Sequence, residues 1–418
     1  MLAKVEAIVS GTPNWRALRR FSTAQAVRLR NGGGWLMGLG AARVVEHGAP
    51  GAAFHALGRF CAGAAGPVFF QVAYGAGEEV VQGLRLKPPA QPGPCMLAFA
   101  PRFIVRWAGD LCAVEHEAND RFQAEELLKA LTEGAEVSAP TSTEWSVPDR
   151  ATYLSGVGEL MEHIQRGDIY EVNYCTERNA VDPAFDPYDA FHRLDARLQA
   201  AHAAFAKHDG RYALCQSPEL FLDVTGRRVR GEPMKGTRPR QDDPIVDAQL
   251  ARELAADPKE RSENIMAVDV LRHDLSQVSM PGSVQVPDLC RVRTIPAVHQ
   301  MISIVAADLL PGKDAMDAMR VCFPPASMTG APKRRAMELI DAHEERGRGL
   351  YSGTIGVVDP DGSAHMNVVI RTILFDASTG RLSLSTGSAL TATCDPLKEW
   401  DECEVKARSV IDALHHGG

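Results

Sequence analysis

The fold class is decided by residues 365–414, HMNVVIRTILFDASTGRLSLSTGSALTATCDPLKEWDECEVKARSVIDAL. Two strand-like runs, 365–375 and 381–386, follow each other with no helix between them, and a helical pattern over 396–414 comes after both. Such an order favours antiparallel pairing over a doubly wound parallel sheet. The stretch therefore predicts an α+β fold in which antiparallel sheets carry helices on their outer faces.

The rest of the chain extends this pattern, because strands outnumber strand–helix–strand alternations. Helical spacing of apolar residues predicts a helix from residue 152 that ends near Gly167, and composition rich in Pro, Ser and Thr predicts loops over 86–94 and 138–149. The other predicted helices are 247–255, 258–274 and 332–345. The other predicted strands are 67–73, 96–100, 169–176, 220–224, 283–286 and 353–358.

The composition excludes several classes of protein. The 418 residues are 45% hydrophobic and 23% charged, as in an ordinary globular protein, and the formal net charge of -8 lacks the positive surface that a nucleic-acid binder needs. None of the nine cysteines forms a C-x-x-C pair, which argues against a disulfide framework and a zinc ribbon. Because we find neither a secretory signal nor a membrane-spanning tract, we expect a cytoplasmic protein with no nucleic-acid or membrane partner.

Two pairs of acidic residues are spaced three apart in predicted helices: Glu260 with Glu263, and Glu399 with Glu402. Residues at this spacing share a helix face, so two such faces in contact would gather four carboxylates. A hard cation such as Mg²⁺ relieves the repulsion in such a group. The alternative is two solvated helix ends, where acidic residues are favoured near the N-terminus.

A lysine and a glutamate are candidates for acid–base or nucleophilic chemistry. Lys235 lies in GEPMKGTRPR, residues 231–240, and Glu219 begins the strand-like part of QSPELFLDV. A lysine becomes a nucleophile only where its environment lowers its pKa, and a buried carboxyl with a raised pKa can exchange protons with a substrate. Both side chains have the alternative of lying inert in solvent.

Further residues suit the binding of anions. Thr329 precedes a predicted helix, and Gly387, Ser388 and Ala389 form a run of small residues whose backbone N–H groups can bind carboxylates. Arg371 is a charge within an apolar strand pattern, so it requires either an anionic ligand or an internal ion pair.

Ordered motifs from about residue 150 to 413 resemble those of the chorismate-utilising enzymes. The motifs are GDIYEVN, SPELF, PMKGTRPR, ERSENIMAVDVLRHDL, PGSVQVP, AVHQMIS, SMTGAPKRRAMELID, YSGTIGVVD, NVVIRT and DPLKEWDECEVKAR. The resemblance implies a central sandwich of antiparallel sheets, built from two interleaved halves with helices outside. It further implies a chorismate-binding catalytic domain over 150–413 and an N-terminal part of the sandwich over 1–140.

Within this family the chain resembles the aminodeoxychorismate synthase component I subgroup, which aminates chorismate at C4. Lys235 is typical of that subgroup, whereas anthranilate and isochorismate synthases usually carry Ala there. Anthranilate synthases also have a histidine where this chain has Gln300, and here His299 lies one place earlier. Anthranilate synthase component I, an isochorismate or salicylate synthase, and a non-catalytic chorismate- or metal-binding subunit stay open as alternatives.

The resemblance also implies roles for the candidate residues. Lys235 would be the nucleophile and Glu219 the acid and base, while Glu263 and Glu402 would bind Mg²⁺ with Glu260 and Glu399 close by. The positions that resemble chorismate-binding residues are Gly236, Thr237, Thr329, Tyr351, Arg371, Gly387, Ser388, Ala389 and Lys406.

Amination requires a source of ammonia. A glutaminase needs a nucleophilic cysteine in a G-x-C-x-G turn, and no cysteine of this chain has glycines at that spacing. We therefore expect a separate glutamine amidotransferase subunit to supply ammonia. The resemblance implies that the product is 4-amino-4-deoxychorismate, which leads to 4-aminobenzoate and folate.

Overall fold

The strands pair antiparallel and the helices pack on the outer faces of the sheets they form. The structure is a computed structural model that describes residues 2–8, 14, 18–19, 25–31, 34–133, 143–295 and 298–415. Every pairing between its named strands is antiparallel. The predicted α+β class is confirmed.

The strands of the described residues are numbered in chain order. They are β1 Ala3–Ile8, β2 Gln25–Asn31, β3 Gly34–His47, β4 Val68–Val72, β5 Met96–Ala108, β6 Leu111–His116, β7 Glu171–Val181, β8 Ala204–His208, β9 Arg211–Cys215, β10 Leu220–Thr225, β11 Arg228–Gly231, β12 Met234–Pro239, β13 Gln285–Thr294, β14 Val298–Asp308, β15 Gly330–Ala331, β16 Thr354–Val358, β17 Ala364–Asn367, β18 Thr372–Asp376 and β19 Arg381–Thr391. The α-helices are α1 Ala53–Ala62, α2 Arg121–Thr132, α3 Arg150–Gln165, α4 Pro187–Leu198, α5 Pro244–Ala256, α6 Pro258–Ser276, α7 Ala315–Cys322, α8 Lys333–His343 and α9 Pro396–His415.

The sheet has two arms that meet at the long strand β5. One arm runs β5–β3–β2–β8–β9–β18–β19–β7–β15, and the other runs β5–β4–β16–β17–β10–β11–β14. Strands β12 and β13 both pair with β14. Strands from before residue 140 thus pair with strands from after residue 150 in both arms, and the division into parts 1–140 and 150–413 stays a prediction.

Three apolar layers follow from this arrangement. Phe69, Phe99 and Ile355 lie in the layer where residues of both arms meet, and each is at most 1% exposed. Outside the first arm, α9 packs through Val410 on a cluster that includes Leu214 of β9. Outside the second arm lies a cluster built from α1, α6 and α7. Truncating a fully buried phenylalanine in such a layer costs about 3–5 kcal/mol, so these layers fix the strands that carry the site.

One predicted strand is wrong. The run 365–375 is divided into β17 and β18, because the chain crosses there from one arm to the other. Arg371 adopts a left-handed conformation, with φ 50°, at the crossing. The apolar residues Val368 and Val369 are buried in two different layers, so the sequence alone looks like one continuous strand.

The other predicted helices and strands are confirmed, with shifted ends. The strand predicted over 283–286 is β13, which begins at Gln285 and continues to Thr294 because its polar residues lie on an exposed face. Residues 86–94 form the predicted loop, whereas residues 138–142 of the other loop lie outside the described residues. Among the residues the structure describes, no helix is long and apolar enough to span a membrane.

An Asp-Pro pair begins each of the two helices that carry the acidic pairs. The Asp257 carboxylate accepts the backbone N–H groups of Lys259 (3.0 Å) and Glu260 (3.2 Å), and Pro258 takes the first helical position of α6. Asp395 accepts the N–H of Leu397 at 3.0 Å in the same way at the start of α9. Such caps stabilise a helix by about 1 kcal/mol and fix the residue at which it begins.

Candidate active site

Lys235 lies in β12 and forms a buried ion pair. Its Nζ is 2.9 Å from Oε1 of Glu171, the first residue of β7, and the two side chains are only 11% and 5% exposed. Burial lowers the pKa of Lys235, but the negative charges of Glu171, Glu263 and Glu402 outweigh it, so the pKa is raised. Lys235 is therefore an ammonium ion in this structure. The lowered pKa expected of a nucleophilic lysine is absent, because three carboxylates surround the amine, so Lys235 must lose a proton before it can attack a substrate.

The first acidic pair meets the second through Lys259. The Lys259 Nζ lies 2.8 Å from Glu399 Oε1 and 3.3 Å from Glu263 Oε1, so one ammonium group spans α6 and α9. Burial raises the pKa of Glu263 to about 7, against the lowering effect of Lys235 and Lys259. Burial likewise raises the pKa of Glu399, which is 1% exposed. Carboxylates of both predicted helix faces thus converge on one point.

The carboxylates have the donor chemistry that Mg²⁺ prefers. Oε1 of Glu263 and both carboxylate oxygens of Glu399 are buried without a hydrogen bond, although each residue has an ion-pair contact with Lys259. Within the described ranges, no three His, Cys, Asp or Glu side chains already surround a common metal position. The residues therefore fit a hard cation through Oε2 of Glu399, which has no contact, and through Oε1 of Glu263 and of Glu399, which the Lys259 ammonium now contacts.

The other two members of the acidic pairs have partners of their own. The pKa of Glu402 is lowered, because the Lys406 ammonium 2.7 Å away outweighs the effect of burial. Glu260 lies 3.4 Å from the Arg238 guanidinium. Of the four predicted metal-binding residues, Glu260 thus lies against β12, whereas Glu402 faces the charges around Lys235.

Glu219 lies just before β10 and is 4% exposed. Burial raises its pKa to about 7, while the Ser327 hydroxyl, which donates a hydrogen bond to Oε1 at 2.6 Å, opposes the shift. The charges of Lys235, Lys406 and Arg371 also act on this carboxyl. A carboxyl with a pKa near neutrality can both donate and accept a proton at physiological pH.

The Arg371 guanidinium is charged and lacks a contact partner. Burial lowers its pKa, and the charges of Glu219 and Glu402 act on it. Among the described residues its side chain, which is partly buried, has no hydrogen bond and no ion pair. Its five N–H donors are therefore available to a bound anion.

Gln300 connects β14 to the residues that follow Lys235. Its Nε2 donates to the Gly236 carbonyl at 2.6 Å, and its Oε1 accepts from the Thr237 hydroxyl at 2.9 Å. His299 points elsewhere, with Nε2 2.9 Å from Asp247. Only the amide of this pair therefore lies beside the Lys235 strand.

The remaining predicted substrate-binding residues line β19 and its neighbours. Lys406 donates to the Gly387 carbonyl at 2.8 Å, and the Ser388 hydroxyl lies 2.9 Å from Tyr153 Oη. Ala389 is buried in β19 opposite Asn173.

Two further predicted hydroxyls already have partners. The Thr329 hydroxyl donates to the backbone carbonyls of Pro325 and Ala326, and Tyr351 contacts the Cys175 thiol at 3.7 Å. In this part of the site a ligand can therefore bind to backbone groups, or to a hydroxyl that rotates away from its present partner, but not to an unpaired hydroxyl.

Sequence analysis missed Glu171 and Lys259. Glu171 lies in the quoted motif GDIYEVN, and an acidic residue at the start of an apolar strand is a signal that could have found it. Lys259 precedes Glu260 and has no such signal, because its contact with Glu399 depends on how α6 packs against α9.

Two cavities among the described residues are lined by residues outside this charged cluster. The larger, about 350 Å³, is lined by the Pro-rich loop 86–94 and Arg348, and the smaller, about 210 Å³, includes Tyr351 and Cys175. Neither is lined by Lys235 or Glu219. We place the candidate site at the charged cluster rather than in a cavity, because the unsatisfied charges are there.

Comparisons with known proteins agree with this geometry. The model of the family described as chorismate binding enzyme matches residues 24–412. The chain is 36% identical over 277 residues to aminodeoxychorismate synthase component 1 of Salmonella typhimurium, covering 66% of this chain and 60% of that protein. It is 39% identical over 267 residues to aminodeoxychorismate synthase of Streptomyces griseus (64% and 36%), and 37% identical over 265 residues to anthranilate synthase component 1 of Streptomyces coelicolor (63% and 51%). The matched part thus spans less than two thirds of each relative.

Solved structures share the fold. The menaquinone-specific isochorismate synthase from Escherichia coli superposes with a TM-score of 0.79 at 19% identity, covering 100% of this chain and 95% of that one. Anthranilate synthase component I from Streptococcus pneumoniae gives 0.78 at 21% identity, with 97% and 92% covered. The central sandwich with outer helices is therefore the fold of these enzymes.

Proposed function

Because the chain belongs to the chorismate binding enzyme family, we propose that it aminates chorismate at C4 to give 4-amino-4-deoxychorismate, as an aminodeoxychorismate synthase component I does. The observation that carries this proposal is Lys235, buried 2.9 Å from Glu171 and within the electrostatic reach of Glu219. A lysine that only stabilised the fold would not need a second carboxyl with a pKa near 7 beside it.

In the first half of the reaction the leaving group departs. Lys235 first loses a proton, and the Glu171 carboxylate at 2.9 Å is placed to accept it. The Lys235 amine then forms a bond to C2, both ring double bonds shift, and the C4 hydroxyl leaves as water with a proton from Glu219. Arg371 holds a carboxylate of the substrate during this step.

In the second half ammonia bonds to C4, the double bonds shift back and the Lys235 nitrogen leaves C2. The new ammonium group gives one proton to the Glu219 carboxylate, and the released Lys235 amine takes its proton back from Glu171, so both carboxyls and the lysine are ready for another turnover. The balance is chorismate plus ammonia to 4-amino-4-deoxychorismate plus water. Two covalent steps replace one difficult substitution.

The metal-binding role is assigned to Glu263, Glu402 and Glu399, with Glu260 nearby. Oε2 of Glu399, buried without a contact, supports this assignment, as does the convergence of Glu263 and Glu399 on the Lys259 ammonium. When bound, Mg²⁺ supplies positive charge that balances these carboxylates and anchors a carboxylate of the substrate.

Ammonia is proposed to come from a separate glutamine amidotransferase subunit, and the product is proposed to feed 4-aminobenzoate and folate synthesis. The name component 1 of the Salmonella typhimurium relative supports a second component. A complex in gel filtration with that subunit, in the presence of glutamine and chorismate, is the expected result, and its absence under these conditions would contradict the partner.

The second candidate is anthranilate synthesis, which the 37% identity to the Streptomyces coelicolor protein favours. The test is to incubate the purified chain with chorismate, Mg²⁺ and ammonium, and to identify the products by mass. Aminodeoxychorismate without pyruvate is expected. Anthranilate with pyruvate would establish the second candidate, and isochorismate would show that water is the nucleophile.

A further inference from the structure

Gln216 follows β9 and has a buried amide with no partner. The side chain is 1% exposed, and among the described residues neither Nε2 nor Oε1 has a hydrogen bond. Leaving one buried polar group unpaired costs about 1–3 kcal/mol, and here two are unpaired on one side chain. The cost is understandable if a ligand supplies the missing bonds.

The backbone places Gln216 beside Arg371. The Gln216 N–H donates to the Arg371 carbonyl at 3.1 Å, which extends the β9–β18 ladder by one pair beyond Cys215 and Thr372. Because Arg371 is left-handed here (φ 50°), this bond places the two backbones side by side and does not itself set the direction of the side chains. The Gln216 amide and the Arg371 guanidinium, neither of which has a contact partner, thus belong to two residues joined through their backbones.

The same short segment holds Glu219. The Glu219 backbone N–H donates to the Ser217 hydroxyl at 3.2 Å, and Gln216 directly precedes Ser217. The segment thus connects a proposed carboxylate-binding residue with the proposed acid. Gln216 thus lies in the short backbone segment between the contact with Arg371 and Glu219.

The Gln216 amide has both a donor and an acceptor, and this indicates which group of the substrate it binds. A carboxylate would satisfy Nε2 alone, since it has no proton for Oε1, whereas a hydroxyl group both accepts and donates. Resting on the function proposed above, we propose that Gln216 binds the C4 hydroxyl of chorismate and holds it for protonation by Glu219. Gln216 is then a substrate-binding residue for the leaving group.

The test compares two ligands on Gln216→Leu, which removes both polar atoms and retains a branched apolar side chain. Dissociation constants are measured by calorimetry, with Mg²⁺, for chorismate and for its analogue with hydrogen in place of the C4 hydroxyl. Chorismate should bind about tenfold or more weakly, since two hydrogen bonds are lost, and the analogue should be unaffected. The melting temperature of the variant should rise, because the unpaired groups are gone. Gln216→Met repeats the test with an unbranched chain.

Ser279→Ala is the matched control. The Ser279 hydroxyl is also buried without a hydrogen bond, but it lies at an isolated bridge to Leu309, so its removal should leave chorismate affinity unchanged. Unchanged chorismate affinity in both Gln216 variants would overturn the proposal, as would equal losses for both ligands or loss of folding. A wild-type chain that binds chorismate without aminating it would refute the proposed function, and the ligand comparison would still test Gln216.

Discussion

Two arginines, the buried Arg348 and the partly buried Arg371, differ in what they contact. Arg348 donates to both carboxylate oxygens of Glu344, at 2.6 and 2.9 Å, and to the backbone carbonyls of Met328 (2.6 Å) and Asn173 (2.8 Å). Arg371 has no such contact among the described residues, and burial lowers its pKa. The protein itself supplies the hydrogen-bond acceptors for Arg348, whereas the N–H donors of Arg371 are available to a bound anion.

This difference distinguishes residues that stabilise the fold from residues that bind a ligand. A buried charge with partners connects separate segments of the chain. Removing it destabilises the protein, because the partner charge stays buried without a contact. An unsatisfied one raises the free energy of the empty protein and lowers it again when a ligand binds. The Gln216 amide and Oε2 of Glu399 are of the second kind, and Arg371 has no contact partner among the described residues, which is why we place the site among them rather than around Arg348.

The largest effect is expected for Lys235→Ala. Amination should fall by about 10³-fold or more, because the covalent step is lost, while Mg²⁺ binding stays largely intact. Initial rates and metal calorimetry measure the two. Lys333→Ala, which removes another buried ion pair (2.7 Å from Asp274), is the control and should lower stability while turnover per folded molecule persists. Undiminished turnover in Lys235→Ala would remove it from the mechanism.

The comparison itself is tested by replacing each arginine with methionine. Arg348→Met should lower the free energy of unfolding by about 3–5 kcal/mol, because the Glu344 carboxylate is left buried and unpaired. Arg371→Met should leave it unchanged or raise it, while chorismate binds about 100-fold more weakly. Denaturant unfolding and calorimetry give the two values. A loss of chorismate affinity in Arg348→Met together with a loss of stability in Arg371→Met would contradict these roles.

Glu219→Gln tests the buried acid through the pH dependence of stability. The folded protein binds the Glu219 proton more tightly than the unfolded chain does, since its pKa is raised to about 7, so unfolding free energy falls as pH rises toward 7. At pH 8 the variant should be more stable than the wild type by up to about 3 kcal/mol, and the gap should close below about pH 4.3. If the unfolding free energies of the wild type and Glu219→Gln changed in parallel with pH, the pKa of the Glu219 carboxyl would not be raised in the folded protein.

The smallest effect is expected for Glu402→Ala. Its carboxylate is two-fifths exposed and is paired with Lys406, so about a tenfold increase in the Mg²⁺ and chorismate concentrations needed for half-maximal rate is expected. Asp401→Ala, an exposed neighbour on α9, should change neither. An unaltered Mg²⁺ requirement in Glu402→Ala would exclude it as a metal ligand.

Helical spacing predicted the helices that carry the acidic pairs, and the strand pattern predicted β10 directly after Glu219. No helix or strand was predicted over Lys235, because the residues of β12 are mostly polar or glycine. Local pattern could not predict the Lys235–Glu171 pair, since β12 and β7 are 64 residues apart and their side chains meet only through the packing of both sheet arms. It also read the crossing at Arg371 as a continuous strand. Whether a polar group is satisfied depends on its three-dimensional neighbours, so the distinction between Arg348 and Arg371 is absent from the sequence.

The central claim, covalent catalysis by Lys235, is tested most directly by intact-protein mass spectrometry. The wild-type chain is mixed with chorismate and Mg²⁺ without ammonium and quenched rapidly, and Lys235→Ala is treated in parallel. We expect the wild type to gain the mass of chorismate less one water, the adduct to map to Lys235, and ammonium to discharge it. An adduct of equal abundance on Lys235→Ala, or amination without any adduct in the wild type, would contradict covalent catalysis by Lys235.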